Sequence, residues 1–215
     1  MHKFLASKWL KVPVFLLCLA PIGMLGLRAL RGDLTANPIE FITHATGDWT
    51  LRFLIITLAI TPLRKVLGLP ELIRFRRMLG LFAFFYACLH FSTYIVLDKF
   101  FDMSEIWKDV LKRRFITVGF TAFLLLIPLA ITSTTGWIRR LGGKRWQALH
   151  RLIYISAILA VIHYYWLVKS AVIRPLTYGA ILAVLLLFRI VVWLSGRGPR
   201  VPAVRVAPQS TTNAT

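Results

Sequence analysis

The chain has 215 residues, of which 58% are hydrophobic and 13% aromatic, and its formal net charge is +19 at pH 7. This composition is too apolar for an ordinary soluble domain and indicates a protein with several membrane spans. The positive charge does not indicate a nucleic-acid partner, because the basic residues form short clusters between apolar segments. The two cysteines, Cys18 and Cys88, lie inside apolar segments, so no disulfide framework is predicted.

Six apolar segments are long enough to cross a lipid bilayer as helices. They cover residues 10–29, 46–63, 78–97, 115–133, 147–168 and 175–194. The first follows three lysines, as a signal peptide would, but it lacks an A-x-A cleavage pattern and is interpreted as a retained helix. We therefore predict an all-α, polytopic six-span bundle over residues 10–194, a short N-terminal tail (1–9) and a flexible tail rich in Pro, Gly and Thr (195–215).

The distribution of lysine and arginine predicts the orientation of the spans. One set of loops holds 15 of the 27 basic residues and comprises the N-terminal segment, 64–77, 139–145 and 197–205. The alternate set holds nine and comprises 28–31, 99–114 and 169–174. By the positive-inside rule the first set is cytoplasmic, and so are both termini.

Residues 98–115 alternate acidic, aromatic and basic side chains at helical spacing. This pattern predicts an amphipathic helix in the interface on the outer face of the membrane. Two interpretations of that helix remain open. It either braces the bundle or docks a periplasmic partner.

Two histidines lie at the same predicted depth on different spans. His90 and His163 are both in the outer half, because the third and fifth spans both run outward. Polar residues inside spans are costly and generally face a partner or a cofactor in the bundle interior. Two imidazoles on facing helices can supply both axial ligands of a b-type haem. In the alternative interpretation, each histidine only hydrogen-bonds a neighbouring helix.

A third histidine, His150, lies on the same segment as His163 but near the cytoplasmic face. Arg76 stands 14 residues before His90, where a second histidine would complete an inner pair. Two alternatives follow. His150 and a weak ligand such as Met78 hold a second haem, or the phosphate or ring of a flavin mononucleotide binds a basic and aromatic group. That group comprises His150, Trp146, Arg151, Arg74, Arg76 and Arg77.

Three more polar residues lie in or next to the spans. His44, just before the second span, is a surface or helix-capping residue, or it contacts the outer haem edge or supplies an alternative ligand. Arg52 and Arg189, inside spans, either extend to a membrane interface or pair with a haem propionate.

The motifs that the chain lacks also restrict its function. It has no C-x-x-C-H for covalent haem attachment and no G-x-G-x-x-G after a strand-like segment. The tail of residues 195–215 is too short for a flavin- or nicotinamide-binding domain. We therefore expect an electron-transfer subunit with a separate source of electrons.

Three segments carry a family resemblance. HATGDWTLRFLIITLAITPL, LIRFRRMLGLFAFFYACLHFSTY and AITSTTGWIRRLGGKRWQALHRLIYISAILAVIHYYWLVKS resemble the MsrQ (YedZ) family, the haem-binding membrane subunits of bacterial periplasmic methionine-sulfoxide reductase systems. The histidines also resemble those of the wider ferric reductase-like transmembrane domain superfamily. Those relatives usually carry two histidines on the third helix, whereas this chain has His90 alone.

The resemblance implies a multi-pass electron-transfer subunit in the bacterial inner membrane. Electrons would come from the quinone pool or a cytosolic flavin reductase and pass through haem b, one or two per chain, and FMN. They would reach a periplasmic molybdopterin-containing methionine-sulfoxide reductase subunit, a heterodimer partner that carries the catalytic site and repairs oxidised proteins. By matching position, His90, His150 and His163 are the family's haem-associated histidines.

Two other function classes remain as alternatives. A stand-alone reductase of the ferric reductase or NADPH oxidase kind would oxidise a nicotinamide by itself. A non-redox transporter or scaffold would use the histidines for protons or packing and would be colourless.

Overall fold

The computed structural model describes residues 8–168 and 171–195, and every regular element in these ranges is helical. The nine α-helices of the described residues are α1 (Lys11–Leu30), α2 (Pro38–Val66), α3 (Ile73–Thr93), α4 (Met103–Lys112), α5 (Arg114–Ile131), α6 (Thr135–Leu141), α7 (Gly143–His150), α8 (Leu152–Leu167) and α9 (Ile173–Ser195). Short 3-10 helices cover Lys8–Leu10 and Pro70–Leu72, and a π-helical turn, Tyr94–Asp98, continues α3. The predicted all-α class is confirmed.

Five helical segments of the described chain are long and apolar enough to cross a membrane. They are Lys11–Leu30, Pro70–Asp98, Arg114–Ile131, Gly143–Leu167 and Ile173–Ser195. The other predicted span, 46–63, lies on α2, which at 29 residues has the length but carries Asp48 and Arg52 in that stretch. The predicted tails, 1–9 and 195–215, lie almost entirely outside the described residues.

Helix α2 begins well before the predicted span because its N-terminus is capped. The side chain of Asn37 accepts a hydrogen bond from the Glu40 N–H, and Pro38 occupies the first helical position. His44 therefore lies in the second turn of α2. The expectation that His44 precedes or caps this helix is wrong.

Two helix pairs form the centre of the bundle. Helix α2 packs most extensively against α3, and α5 against α8, while α9 contacts α8 and α2. The helices α2 and α5 begin, and α3 and α8 end, at the end of the bundle that carries α4, here called the α4 end. The opposite end carries residues 64–77 and 139–145 and is called the basic end.

Tyr86 of α3 connects the central pair to α1. Its buried hydroxyl accepts a hydrogen bond from the Ile22 N–H and donates one to the Cys18 carbonyl. This exchange occurs next to Pro21, which has no N–H and interrupts the hydrogen bonding of α1. The ring of Tyr86 stacks on Phe53 of α2 in the core.

Helix α4 confirms the predicted amphipathic helix, with its apolar side facing outward. Met103, Trp107 and Leu111 recur every four residues and are exposed. On the other side the carboxylate of Asp109 is buried, 2.9 Å from Lys99 Nζ. An exposed apolar face of this kind suits a membrane interface.

The segment at the basic end is more helical than expected. The chain turns at Gly142, where φ is +73° in the left-handed region that favours glycine, and this turn joins α6 to α7. A tight turn follows at Arg151, whose N–H bonds the Ala148 carbonyl three residues earlier. The predicted span 147–168 is therefore interrupted at Arg151.

Candidate functional site

His90 and His163 face each other inside the bundle at the α4 end. Their ring centroids are 6.1 Å apart, and the ring planes meet at 72°. Both line one cavity of about 540 Å³. A volume of this size lies within the usual range for small-molecule and cofactor sites.

Each of these two rings is held by the backbone of another helix. His90 Nδ1 is 2.9 Å from the Thr43 carbonyl on α2, and His163 Nδ1 is 2.7 Å from the Phe115 carbonyl on α5. Because a carbonyl only accepts, Nδ1 carries the proton and donates in both rings. Nε2 is then an unprotonated lone-pair donor, the state that a metal ligand requires.

The spacing of the rings fits two imidazoles on opposite sides of one metal ion. A bond from a metal to an imidazole nitrogen is ~2.0 Å and the nitrogen is ~1.1 Å from the ring centroid, so the two centroids would be about 6 Å apart. The described residues contain no group of three or more His, Cys, Asp or Glu that could hold an ion. Two histidines alone therefore suit a metal whose other ligands come from a macrocycle, as in haem.

The walls of the cavity have the polarity that an iron porphyrin needs. Apolar residues from α2, α3 and α5 line the interior, and they include Leu54, Phe91, Phe120, Phe123 and Leu126. Exposed polar residues also line it, and they include His44, Arg113 and Arg174. The apolar part matches the porphyrin rings, and the two arginines match its carboxylates.

His150 lies at the basic end and is outside the lining of this cavity. Its ring stacks on Trp146, with centroids 3.8 Å apart, and its Nδ1 is 3.1 Å from the Trp146 carbonyl. Its Nε2 is buried, and the backbone of Leu129 interacts with the ring. Arg76 is close enough to His150 to interact electrostatically. The structure thus groups three of the residues that the sequence suggested for an inner site.

Two other arginines suggested for that inner site are exposed at the basic end. The side chains of Arg77 and Arg151 lie at the surface, and positive charge there fits the orientation signal and lipid headgroups. Met78 packs partly buried against the hydrophobic core.

The arginines inside spans bind protein groups. Arg52 Nε donates to the Tyr178 hydroxyl at 3.0 Å, and its guanidinium is 3.7 Å from Asp48. Arg189 donates to the carbonyls of Leu58 and Leu185. Neither arginine lines the cavity of His90 and His163.

Sequence reasoning missed four residues of the cavity. Thr43 and Phe115 contribute backbone carbonyls, which no residue type reveals. Arg113 and Arg174 were counted only among the basic residues of the loops. One signal was available in the sequence: Thr43 and Phe115 each lie four residues before a glycine, Gly47 and Gly119.

Comparisons with known proteins identify the family of the chain. Residues 46–161 match the family model described as ferric reductase like transmembrane component. A relative from Herminiimonas arsenicoxydans, named protein-methionine-sulfoxide reductase heme-binding subunit MsrQ, is 60% identical over 84% of both chains. Relatives of the same name from Rhodospirillum rubrum (52% identical, 88% of this chain and 93% of the relative) and Caulobacter vibrioides (50%, 82% and 84%) are also similar.

No solved structure matches the chain. The family match covers more than half of the chain and includes His90, and the relatives match over most of their own length. The chain therefore belongs to the MsrQ family of ferric reductase-like transmembrane proteins.

Proposed function

We propose that this protein is a haem b electron-transfer subunit of a bacterial methionine-sulfoxide reductase system, with His90 and His163 as the axial ligands. One observation supports it most strongly. Two imidazoles 6.1 Å apart both donate Nδ1–H to carbonyls of other helices, so both Nε2 atoms are available in one apolar cavity. The relatives are named heme-binding subunits.

Bound haem supplies reversible one-electron chemistry, and the protein supplies position, electrostatics and exclusion of water. The carbonyls of Thr43 and Phe115 fix the tautomer and the orientation of both ligands. As acceptors of Nδ1–H they also make each imidazole a stronger electron donor. The aromatic and aliphatic walls keep the site dry, which strengthens these interactions.

At the basic end we propose a second cofactor position at His150, Trp146 and Arg76. It would accept either a second haem, with Met78 or another weak ligand, or an FMN. The stacked Trp146 ring is a surface for a flat cofactor, and Arg76 offers a charge for a phosphate or carboxylate. A ligand bound here could engage the buried Nε2 of His150 in place of the Leu129 backbone.

The proposed topology has six spans and both termini in the cytoplasm of a bacterial cell. The excess of basic residues at the basic end supports this orientation. Electrons would then enter at the basic end, from the quinone pool or a cytosolic flavin reductase. They would leave at the α4 end to a periplasmic molybdopterin subunit, which would hold the catalytic site and reduce methionine sulfoxide in periplasmic proteins.

The test is a dithionite-reduced minus oxidised visible spectrum of the detergent-purified protein, with extracted haem measured per chain. We expect a b-type spectrum with six-coordinate, low-spin haem. H90A and H163A should each lose the outer haem. H44A is the matched control, because His44 lines the same cavity but its side chain is exposed.

Two results would overturn the proposal. One is a colourless wild-type protein after expression with haem supplied, which would favour a transporter or scaffold. The other is an unchanged haem spectrum in both H90A and H163A.

A further inference from the structure

The two central helix pairs hold their histidines in the same way. In the pair α2 and α3, His90 of α3 donates to Thr43 of α2. In the pair α5 and α8, His163 of α8 donates to Phe115 of α5. Each histidine therefore bonds a carbonyl near the start of the first helix of its own pair.

The same correspondence extends over the walls of the cavity. All seven lining residues of α5, from Phe115 to Leu126, lie 72 residues after a lining residue of α2, from Thr43 to Leu54. Between α3 with its π-helical turn and α8 the separation is 73 residues, and it relates Ala87 to Ala160 and His90 to His163. The cavity is thus built from two copies of one helix-pair unit.

The two units run in the same direction. Helices α2 and α5 both start at the α4 end, and α3 and α8 both finish there. A repeat of this parallel kind is related by an axis along the bundle, not by one in the membrane plane. Such an axis places equivalent residues at equal depth on opposite sides of a cavity, which accounts for the facing histidines.

A glycine stands at the equivalent position in each unit, one helical turn after the carbonyl that the histidine bonds. A Cβ added to Gly47 would lie 3.0 Å from His90 Cε1 and 3.1 Å from its Nδ1. A Cβ added to Gly119 would lie 2.5 Å from His163 Nδ1 and 2.8 Å from its Cε1. The imidazole rings therefore lie directly on the backbone of α2 and α5, in space that any side chain would fill.

We propose that Gly47 and Gly119 are positioning residues for the two axial histidines, each forming a seat with the carbonyl four residues earlier. The inference rests on the proposed function and extends it. A seat is defined here as this carbonyl and this glycine, and it fixes the imidazole ring by two contacts. The Nδ1–H bond to the carbonyl sets the tautomer of the ring. The glycine, which has no side chain, sets the depth and tilt of the ring. Both contacts are needed to direct Nε2 towards the centre of the cavity.

The two seats should differ in sensitivity. At Gly119 an alanine methyl would overlap the imidazole ring of His163 itself, so the ring or the helix must move. At Gly47 the overlap with His90 is a few tenths of an ångström, which a small shift of the ring relieves. G119A is therefore expected to break the axial bond in most molecules, and G47A in a minority.

The experiment compares G119A, G47A and the control G80A in the full-length, haem-loaded protein in detergent. Gly80 also lies on a central helix, but a Cβ there would make an ordinary 3.6 Å contact with Thr57 Cγ2. Visible and EPR spectra report the fraction of low-spin, six-coordinate haem, and redox titration reports the midpoint potential. Added imidazole then tests whether the lost ligand can be replaced from solution.

We expect G119A to lose at least half of the low-spin signal of the outer haem and G47A to lose less. Added imidazole should restore the low-spin spectrum in both, and G80A should match the wild type. If the glycines have a merely structural role, the variants should lose protein or haem, show no high-spin signal and not be restored by imidazole. That result would overturn the inference. If G119A does not accumulate, a G47A spectrum and potential equal to those of the wild type would also overturn it.

Failure of this inference is distinguishable from failure of the proposed function. A wild-type protein without low-spin haem contradicts the proposed function. A wild-type protein with low-spin haem whose glycine variants are unchanged contradicts only the seats.

Discussion

The α4 end and the basic end of the bundle both contain histidine, but they hold it differently. At the α4 end, His90 and His163 each bond the backbone of a different helix and face each other. At the basic end, His150 bonds a carbonyl of its own helix and stacks on Trp146 one turn earlier. At the α4 end the bond from Nδ1–H to a second helix fixes each ring and leaves its Nε2 unprotonated.

The internal repeat explains why the pair is complete at one end only. The position 73 residues before His150 is Arg77, which is exposed, and the interior position beside it is Arg76. A guanidinium stays protonated and does not bind a metal. The repeat therefore gives a symmetric site at the α4 end and an asymmetric, cationic one at the basic end.

Replacing the histidines one at a time should distinguish the cofactor at the α4 end from any cofactor at the basic end, and this is the largest expected effect. H163A is expected to remove the low-spin signal of the outer haem. H150A should leave that signal unchanged, because His150 is outside the cavity, and should reduce only a cofactor bound at the basic end. Spectra with haem and flavin quantified per chain would measure both. Equal loss of the outer signal in the two variants would contradict the separation of the sites.

A second histidine introduced at the basic end should add a second ligand for a haem there. Arg76 lies 14 residues before His90, so on a continuous α3 the two side chains differ by only about 40° around the helix axis. R76H would offer an imidazole near His150, and we expect extracted haem, or the low-spin fraction of an inner haem, to increase. R77H is the matched control, since Arg77 is exposed. The same haem content in R76H and R77H would contradict this account of the basic end.

An ion-pair cluster of Lys99, Glu105 and Asp109 fixes α4. The basic end has few acidic residues for such a cluster, because Glu71 is the single acidic residue of residues 64–77 and 139–145. Lys99 is buried between Asp109 at 2.9 Å and Glu105. We expect K99M to destabilise the protein by about 1–3 kcal/mol, because the carboxylate of Asp109 loses a close partner and water near the bundle surface screens part of the loss.

A thermal unfolding curve in detergent measures the effect of K99M. The control is K108M, because Lys108 lies on the same helix and is exposed. Equal unfolding temperatures for the two variants would show that the cluster does not stabilise α4.

The same cluster predicts how the stability difference depends on pH. Burial alone would raise the pKa of Asp109, but the hydrogen bond from Lys99 and the charge of Arg113 lower it overall. Hydrogen bonds to Asp109 and Glu105 raise the pKa of Lys99 above its usual value.

The contribution of Asp109 is then present above the ordinary carboxyl pKa and is lost as pH falls through its lowered value. The contribution of Lys99 is present below the ordinary lysine pKa and is lost as pH rises through its raised value. The difference in unfolding temperature between wild type and K99M should be constant from about pH 5 to pH 9 and should shrink below about pH 4. A difference that varies between pH 5 and pH 9 would assign the effect to other groups.

The sequence predicted most of the fold, because apolar length is the main requirement for a span. It predicted the depth of His90 and His163 through the positive-inside rule, and the rings do meet. It misplaced the start of α2, because the first turns of this capped helix carry polar residues such as Glu40 and His44 and lie before the apolar stretch. It missed the carbonyls of Thr43 and Phe115, because a backbone acceptor depends on which helices pack together and not on residue type.

The smallest expected effect concerns a difference between the two helix-pair units. Ser156 of α8 is fully buried and donates to the Ala122 carbonyl at 2.9 Å, whereas the residue 73 positions earlier is Ala83, also fully buried. S156A should cost about 1 kcal/mol or less, because the carbonyl of Ala122 keeps its helical hydrogen bond.

The reverse change, A83S, places a hydroxyl at the position equivalent to Ser156, and the residue equivalent to Ala122 is Thr50, 72 residues earlier. If the repeat extends to this detail, the Thr50 carbonyl accepts the new hydrogen bond and A83S is tolerated as well as S156A in thermal unfolding. A loss of about 2 kcal/mol or more in A83S would indicate an unpartnered buried hydroxyl. The correspondence between the units would then be limited to the cavity walls and the two seats.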